Sequence, residues 1–186
     1  MSKDISHQGW RNREIEIERT PGIPTLIELR TSGWTSSFIA HGIERTAHRE
    51  ERTLISVAIS GRKPYRFLLA PKYTHVSITR VSDSEGGGGI SRWQLRIMPA
   101  PSAPLLTGAA GGKVADVLQC PAGLQSITYS FDRKSVDSGT GITHFSPSGK
   151  ATELTDSRRV QGSAKIPGPG YLQIRASGPW EVSPNP

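Results

Sequence analysis

The stretch Tyr171-Leu-Gln-Ile-Arg-Ala-Ser-Gly-Pro-Trp-Glu-Val182 contains two short runs in which apolar and polar residues alternate, separated by Gly-Pro. Alternation with a period of two is typical of half-buried strands, and Gly and Pro are typical of turns. The stretch therefore predicts an antiparallel hairpin. A similar pattern occurs earlier in the chain, where His75-Val-Ser-Ile-Thr79 precedes Trp93-Gln-Leu95.

The rest of the chain also favours short strands. Glu14-Ile-Glu-Ile-Glu18 alternates at period two, and Thr25–Thr31 is a second apolar run that ends at a glycine. The 20 glycines and 14 prolines of the 186 residues fall between such runs, as expected for tight turns that join many strands. Only His41–Arg52 has a composition that suits a helix, and we expect a loop or one helical turn there.

These patterns predict an all-β protein of two tandem antiparallel β-sandwich modules, jelly-roll-like in type. An internal repeat is a further hypothesis. The span from the first strand to the tryptophan is 67 residues in one half (26 to 93) and 63 in the other (117 to 180). The alternatives are one continuous sandwich, or tryptophan hairpins that any all-β chain could contain. The predicted divisions are an N-terminal arm (1–13), a first module (14–98), a Pro/Ala/Gly linker (99–112) and a second module (113–186).

Charge and cysteine content restrict the partners and the compartment. The formal net charge is +7, but basic and acidic residues are interleaved, which indicates a solvated, mildly basic surface. Nucleic acid binding is only weakly indicated, because phosphate-binding surfaces concentrate cations. Cys120 is the single cysteine, the first residues lack the apolar core of a signal peptide, and no apolar run could span a membrane. We expect a cytoplasmic protein, or part of a particle assembled in the cytoplasm, with no membrane partner.

One segment resembles a catalytic loop. Val136-Asp-Ser-Gly-Thr140 is similar to the Asp-Thr/Ser-Gly loop of pepsin-like and retroviral aspartic proteases. The resemblance covers five residues and implies a catalytic role for Asp137 alone, which a homodimer would pair with its copy. Lys134-Ser135 stands where the family prefers an apolar residue, and the apolar-apolar-Gly element downstream is missing. An Asp-Ser-Gly sequence is also typical of a turn.

A metal site is the second candidate. His41, Glu44 and His48 would lie near one face of a helix, and two imidazoles with a carboxylate could bind zinc. Neighbouring arginines add positive charge to this segment, and solvated loop histidines are the alternative. No cofactor is predicted.

The function favoured by the sequence is non-enzymatic: a protein that interacts or assembles through sheet edges and loops. A protein partner or self-association is expected, with Trp10 and Trp34 as the candidate contact residues. The alternative is a module that binds a carbohydrate or small polar ligand, which predicts an exposed aromatic ring beside carboxylates or amides. A hydrolase that uses Asp137 is a third hypothesis.

Overall fold

The computed structural model describes residues 5–18, 20–33, 37–59, 63–81, 91–137, 139–156 and 159–185. Regular structure in these residues is almost entirely β-strand, which confirms the predicted fold class. By its internal contacts the chain divides into two compact units, Met1–Ala100 and Pro101–Pro186. Each unit contains two four-stranded sheets, so the tandem-sandwich prediction is confirmed as well.

The first unit is a sandwich of sheets I and II. Sheet I has the order β1-β8-β3-β6 and sheet II the order β2-β7-β4-β5, with antiparallel pairing throughout. The strands are β1 (Ile5–Gly9), β2 (Arg13–Glu16), β3 (Thr25–Ser32), β4 (Ser37–Arg45), β5 (Glu50–Ile59), β6 (Tyr65–Leu69), β7 (His75–Val81) and β8 (Arg92–Pro99).

The second unit repeats this strand order. Sheet III has the order β9-β16-β11-β14 and sheet IV the order β10-β15-β12-β13. Each strand of the first unit therefore corresponds to the strand numbered eight higher in the second unit. Both units have the strand order of an eight-stranded jelly roll. The strands are β9 (Ala110–Gly112), β10 (Asp116–Cys120), β11 (Ser126–Phe131), β12 (Gly141–Phe145), β13 (Ala151–Glu153), β14 (Gln161–Lys165), β15 (Gly170–Arg175) and β16 (Trp180–Asn185).

Alternating residues of the strands form the cores. In β8, Trp93, Leu95 and Ile97 are buried, while Arg92 and Gln94 on either side of Trp93 are exposed. This is the inward and outward alternation that a sheet with one buried face requires. In the second unit one cluster of buried side chains combines both sheets: Ile127, Tyr129, Phe131, Trp180 and Val182 from sheet III with Leu118, Cys120, Ile142, Leu172 and Ile174 from sheet IV.

Each unit has a corner in which a glycine on its first strand packs against a tryptophan on its last. Gly9 pairs with Trp93, and Gly112 pairs with Trp180. A Cβ atom would come within 2.6 Å of the Trp93 ring at Gly9 and within 2.7 Å of the Trp180 ring at Gly112, so any side chain there would collide with the indole. Each indole N–H donates to the carbonyl two residues beyond its glycine: Arg11 O at 3.0 Å and Val114 O at 2.7 Å.

Two predicted irregular segments contain strands. Part of the predicted N-terminal arm, residues 1–13, is strand β1, which pairs with β8 along its whole length. Its polar composition hid it, because an edge strand needs few apolar residues. The segment His41–Arg52 is a hairpin of β4 and β5 rather than a helical turn. Pairing with β7 and β5 outweighs its helix-favouring composition.

The segment 99–112, which the sequence predicts as a linker, also contains regular structure and a core residue. It includes a short 3-10 turn, buried Leu106 in the core of the second unit, and strand β9. Its backbone is bonded to β10: Leu106 N donates to Gln119 O at 3.0 Å, and Gln119 N donates to Pro104 O at 2.8 Å. Composition alone could not reveal these long-range hydrogen bonds.

Candidate functional site

A pocket of about 620 Å³ opens on sheet I of the first unit. This volume lies within the usual range of small-molecule sites. Its lining combines cations, amides, hydroxyls and two indoles: Gln8, Gly9, Trp10, Arg30, Thr31, Ser32, Arg92, Trp93 and Gln94.

Antiparallel register brings these residues together from three strands. Trp93 on β8 lies between Gly9 of β1 and Thr31 of β3, and Gln94 lies between Gln8 and Arg30. Trp93 is buried and belongs to the core, whereas its neighbours on β8 point to the outer face. The end of β1, the end of β3 and the start of β8 therefore present their outward side chains at one place.

Two arginines of the pocket are held by different groups. The Arg92 guanidinium lies 4.1 Å from the centroid of the Trp10 ring, a cation–π distance, and Trp10 remains 53% exposed. The Nε of Arg30 lies 3.1 Å from the carboxylate of Glu28, which is 2% exposed and also accepts a hydrogen bond from Arg66. Both guanidinium groups are therefore held by neighbouring side chains of the first unit.

A second feature of the first unit is the edge strand β5. It pairs with β4 on one side and forms the end of sheet II on the other. His41 pairs with Leu54 and Ala40 with Ser56, so Ile55 is an extra residue in β5. Such a bulge shifts the alternation by one residue and brings Leu54 and Val57 to the same face. Their side chains are 57% and 46% exposed.

Near its turn, the same β4–β5 hairpin carries a cluster of ion pairs. Arg45 donates to the carboxylates of Glu14 and Glu50, and Arg52 bonds the same two carboxylates from β5. Hydrogen bonds from Arg45 and then Arg52 lower the pKa of Glu50 below its ordinary value. Sheet II thus has a charged end and an apolar end along one edge strand.

Asp137 lies in a turn that satisfies its carboxylate locally. Its Oδ1 accepts hydrogen bonds from Gly139 N at 2.8 Å and Thr140 Oγ1 at 3.1 Å, and its backbone N donates to Thr140 Oγ1 at 3.0 Å. Aspartate side chains make this pattern in ordinary turns. The protease hypothesis therefore gains no geometric support within one chain.

The three predicted metal ligands are spread along the β4–β5 hairpin. His41 and Glu44 belong to β4, where residues three apart lie on opposite faces, and His48 is exposed in the turn. The Glu44 carboxylate forms an ion pair with Lys72 at 3.3 Å. In the described part of the chain, no group of three or more His, Cys, Asp or Glu residues is placed to hold a metal ion.

Cys120 is a core residue. It is 5% exposed, and burial raises the pKa of its thiol to about 12. Since the thiolate is the nucleophilic form, this cysteine is poorly suited to catalysis.

Of the two predicted contact tryptophans, Trp10 is placed at the pocket and Trp34 lies outside the described residues. Sequence reasoning missed Arg30, Arg92, Gln8 and Gln94. The alternation Arg92-x-Gln94 was a signal that both point outward from β8. The sequence could not show which neighbouring strands supply the other residues of the pocket.

Comparison with known proteins adds no assignment, since the chain matches no protein-family model and no curated protein. Within the described residues, no helix is long and apolar enough to cross a membrane.

Proposed function

We propose that this chain is a non-enzymatic assembly protein in which two copies pair along the β5 edges of their first units. The observation behind this proposal is the length and exposure of β5, a ten-residue edge strand with two exposed apolar side chains on one face. An unpaired edge presents backbone N–H and C=O groups that another strand can bond. The charged residues Glu50, Glu51 and Arg52 lie at the turn end of β5, and the exposed apolar pair lies beyond them. An exposed edge with apolar side chains is the kind that proteins usually shorten or cover.

A second copy fits this edge because antiparallel pairing of identical strands is self-complementary. A two-fold axis across β5 places the same surface on both sides of the contact. Leu54 and Val57 of one copy then lie beside those of the other, and apolar area on both leaves water. The bulge at Ile55 bends the strand, so backbone pairing is confined to the segments on either side of it.

The two units are, in our proposal, copies of one ancestral module. Their identical strand order and the matching glycine–tryptophan corners support this view. The low cysteine content fits assembly in a reducing cytoplasm. Small-ligand binding is a second candidate function, favoured by the pocket at Trp10.

Light scattering at increasing protein concentration tests the assembly proposal. We expect the wild type to reach twice its monomer mass, and the double variant L54K/V57K to remain monomeric because lysines on both copies repel each other at the contact. Leu105→Lys is the matched control, since Leu105 is 50% exposed in the other unit. It should associate like the wild type.

A wild-type chain that stays monomeric at every concentration would overturn self-association. Equal loss of association in L54K/V57K and Leu105→Lys would also contradict the role of β5. The ratio of absorbance at 260 and 280 nm in the same peak reports bound nucleic acid, and a high ratio would contradict a purely protein assembly.

A further inference from the structure

We propose that the pocket at Trp10 binds an acidic sugar, that is, a saccharide unit bearing a carboxylate. This inference is independent of pairing at β5, which lies in sheet II, whereas the pocket opens on sheet I. It extends the second candidate function to a ligand class and to named residues.

The negative charge of the ligand follows from the two arginines. Arg30 bonds Glu28 through its Nε, Arg92 stacks on Trp10, and both residues line the pocket. A guanidinium group binds carboxylates through two parallel hydrogen bonds, and this fork is most effective when the side chain is already fixed. Glu28 forms an ion pair with Arg30, whereas Arg92 contacts the uncharged ring of Trp10. The carboxylate of Glu28 therefore does not offset the positive charge of both arginines.

The ring and hydroxyl groups of the ligand follow from Trp10 and the glutamines. The Arg92 guanidinium covers one face of the Trp10 ring, and the indole, which lines the pocket and is 53% exposed, offers its other face to the C–H face of a sugar ring. Gln8 and Gln94 are cross-strand partners on β1 and β8. Their amides both donate and accept hydrogen bonds, as sugar hydroxyls require.

In the second unit, the places equivalent to the pocket residues carry different side chains. The jelly-roll corner therefore does not itself require the cations and the exposed indole of the pocket. In the second unit Ser130 pairs with Glu181, next to the pair that contains Trp180. In the first unit Arg30 pairs with Gln94, next to the pair that contains Trp93. Ser130 therefore stands in the place of Arg30, and Glu181 in the place of Gln94. Lys113 follows the corner glycine where the first unit has Trp10, and Pro179 precedes the tryptophan where the first unit has Arg92. The cationic and aromatic set is specific to the first unit.

Calorimetric titration of the full chain with a glucuronic-acid disaccharide tests the proposal, with a neutral disaccharide and inorganic phosphate as comparison probes. We expect one site per chain for the acidic disaccharide, and affinity at least about tenfold weaker for the neutral one, because a hydrogen-bonded charge pair is lost. Arg92→Gln and Trp10→Ala should each weaken binding by about tenfold. Arg92→Lys keeps the charge but loses the fork, and should weaken binding less than Arg92→Gln.

Lys113→Gln, at the equivalent place in the second unit, is the control and should bind like the wild type. The L54K/V57K variant should also retain binding, which separates this test from the assembly proposal. Thermal melting of each variant verifies that it is folded. No binding of the acidic disaccharide, equal affinity for the neutral one, or competition by phosphate at equal strength would each overturn the acidic-sugar assignment.

Discussion

Strands β5 and β13 occupy the same place in the two jelly rolls, at the end of a four-stranded sheet, and differ greatly in length. β5 has ten residues and includes two exposed apolar side chains, whereas β13 has three, Ala151–Glu153, all exposed and ending in a carboxylate. A short edge strand offers few hydrogen-bonding groups to a partner, and charge discourages docking. One strand order therefore supports one protected edge and one open edge.

The corners of the two units show the opposite relation, because there the units agree in detail. Gly9 with Trp93 and Gly112 with Trp180 have matching registers, matching ring contacts and matching indole hydrogen bonds. Residues that fix the fold are shared, while the residues around them diverge. We therefore expect the glycine–tryptophan corners to stabilise the fold, and we keep the pocket and the β5 edge as the proposed binding surfaces.

Of the changes that test this comparison, we expect alanine at the corner glycines to have the largest effect on the stability of the units. Gly9→Ala and Gly112→Ala each force an indole ring away from the backbone, which we expect to destabilise the affected unit by about 1–3 kcal/mol. Hydrogen exchange of individual strands in increasing urea reports each unit separately. Similar losses, each confined to its own unit, would support equivalent corners. A large loss in one unit and none in the other would argue against equivalence.

A smaller difference between the units is expected on acidification. Burial, as the main cause, lowers the pKa of His144, which is 2% exposed and donates from Nε2 to Gly168 O at 3.0 Å. The unfolded state then binds more protons than the folded state as the pH falls below the ordinary histidine pKa of 6.5. The second unit should therefore lose stability from that pH downward, and its stability should be independent of His144 above it.

His7 gives the corresponding comparison in the first unit. Burial and then the charge of Arg13 lower the pKa of its half-buried imidazole, so the direction is the same. Because His144 is more deeply buried, the second unit should be the more sensitive. Strand-resolved hydrogen exchange between pH 7 and pH 5 measures both units, and His144→Gln should remove the excess sensitivity of the second. Persistence of that excess in His144→Gln would refute this assignment.

The sequence predicted the fold class because its signals are local. Alternation in β7, β8, β15 and β16 and glycine-rich turns are visible without any knowledge of neighbours. The tryptophans Trp93 and Trp180 could be matched for the same reason. The edge strand β1 has too few apolar residues to be recognised, and the β4–β5 hairpin has a composition that suits a helix.

The candidate sites were less predictable because they depend on pairing between distant strands. Arg30 and Arg92 are 62 positions apart in the sequence and share a pocket only because β3 and β8 are neighbours. The bulge at Ile55 likewise arises from register with β4, and without it Leu54 and Val57 would lie on opposite faces. The sequence singled out Trp10 as a candidate contact residue, which stays a prediction, but not the residues that line the pocket with it.

The most direct test of assembly through the open edge is backbone hydrogen exchange of β5 and β13 at low and high protein concentration. If two copies pair along β5, its amides should become more protected as concentration rises, while those of β13 exchange at an unchanged rate. The L54K/V57K variant should show no such change. Protection of β5 that does not depend on concentration, or that rises equally in β13, would contradict pairing at this edge.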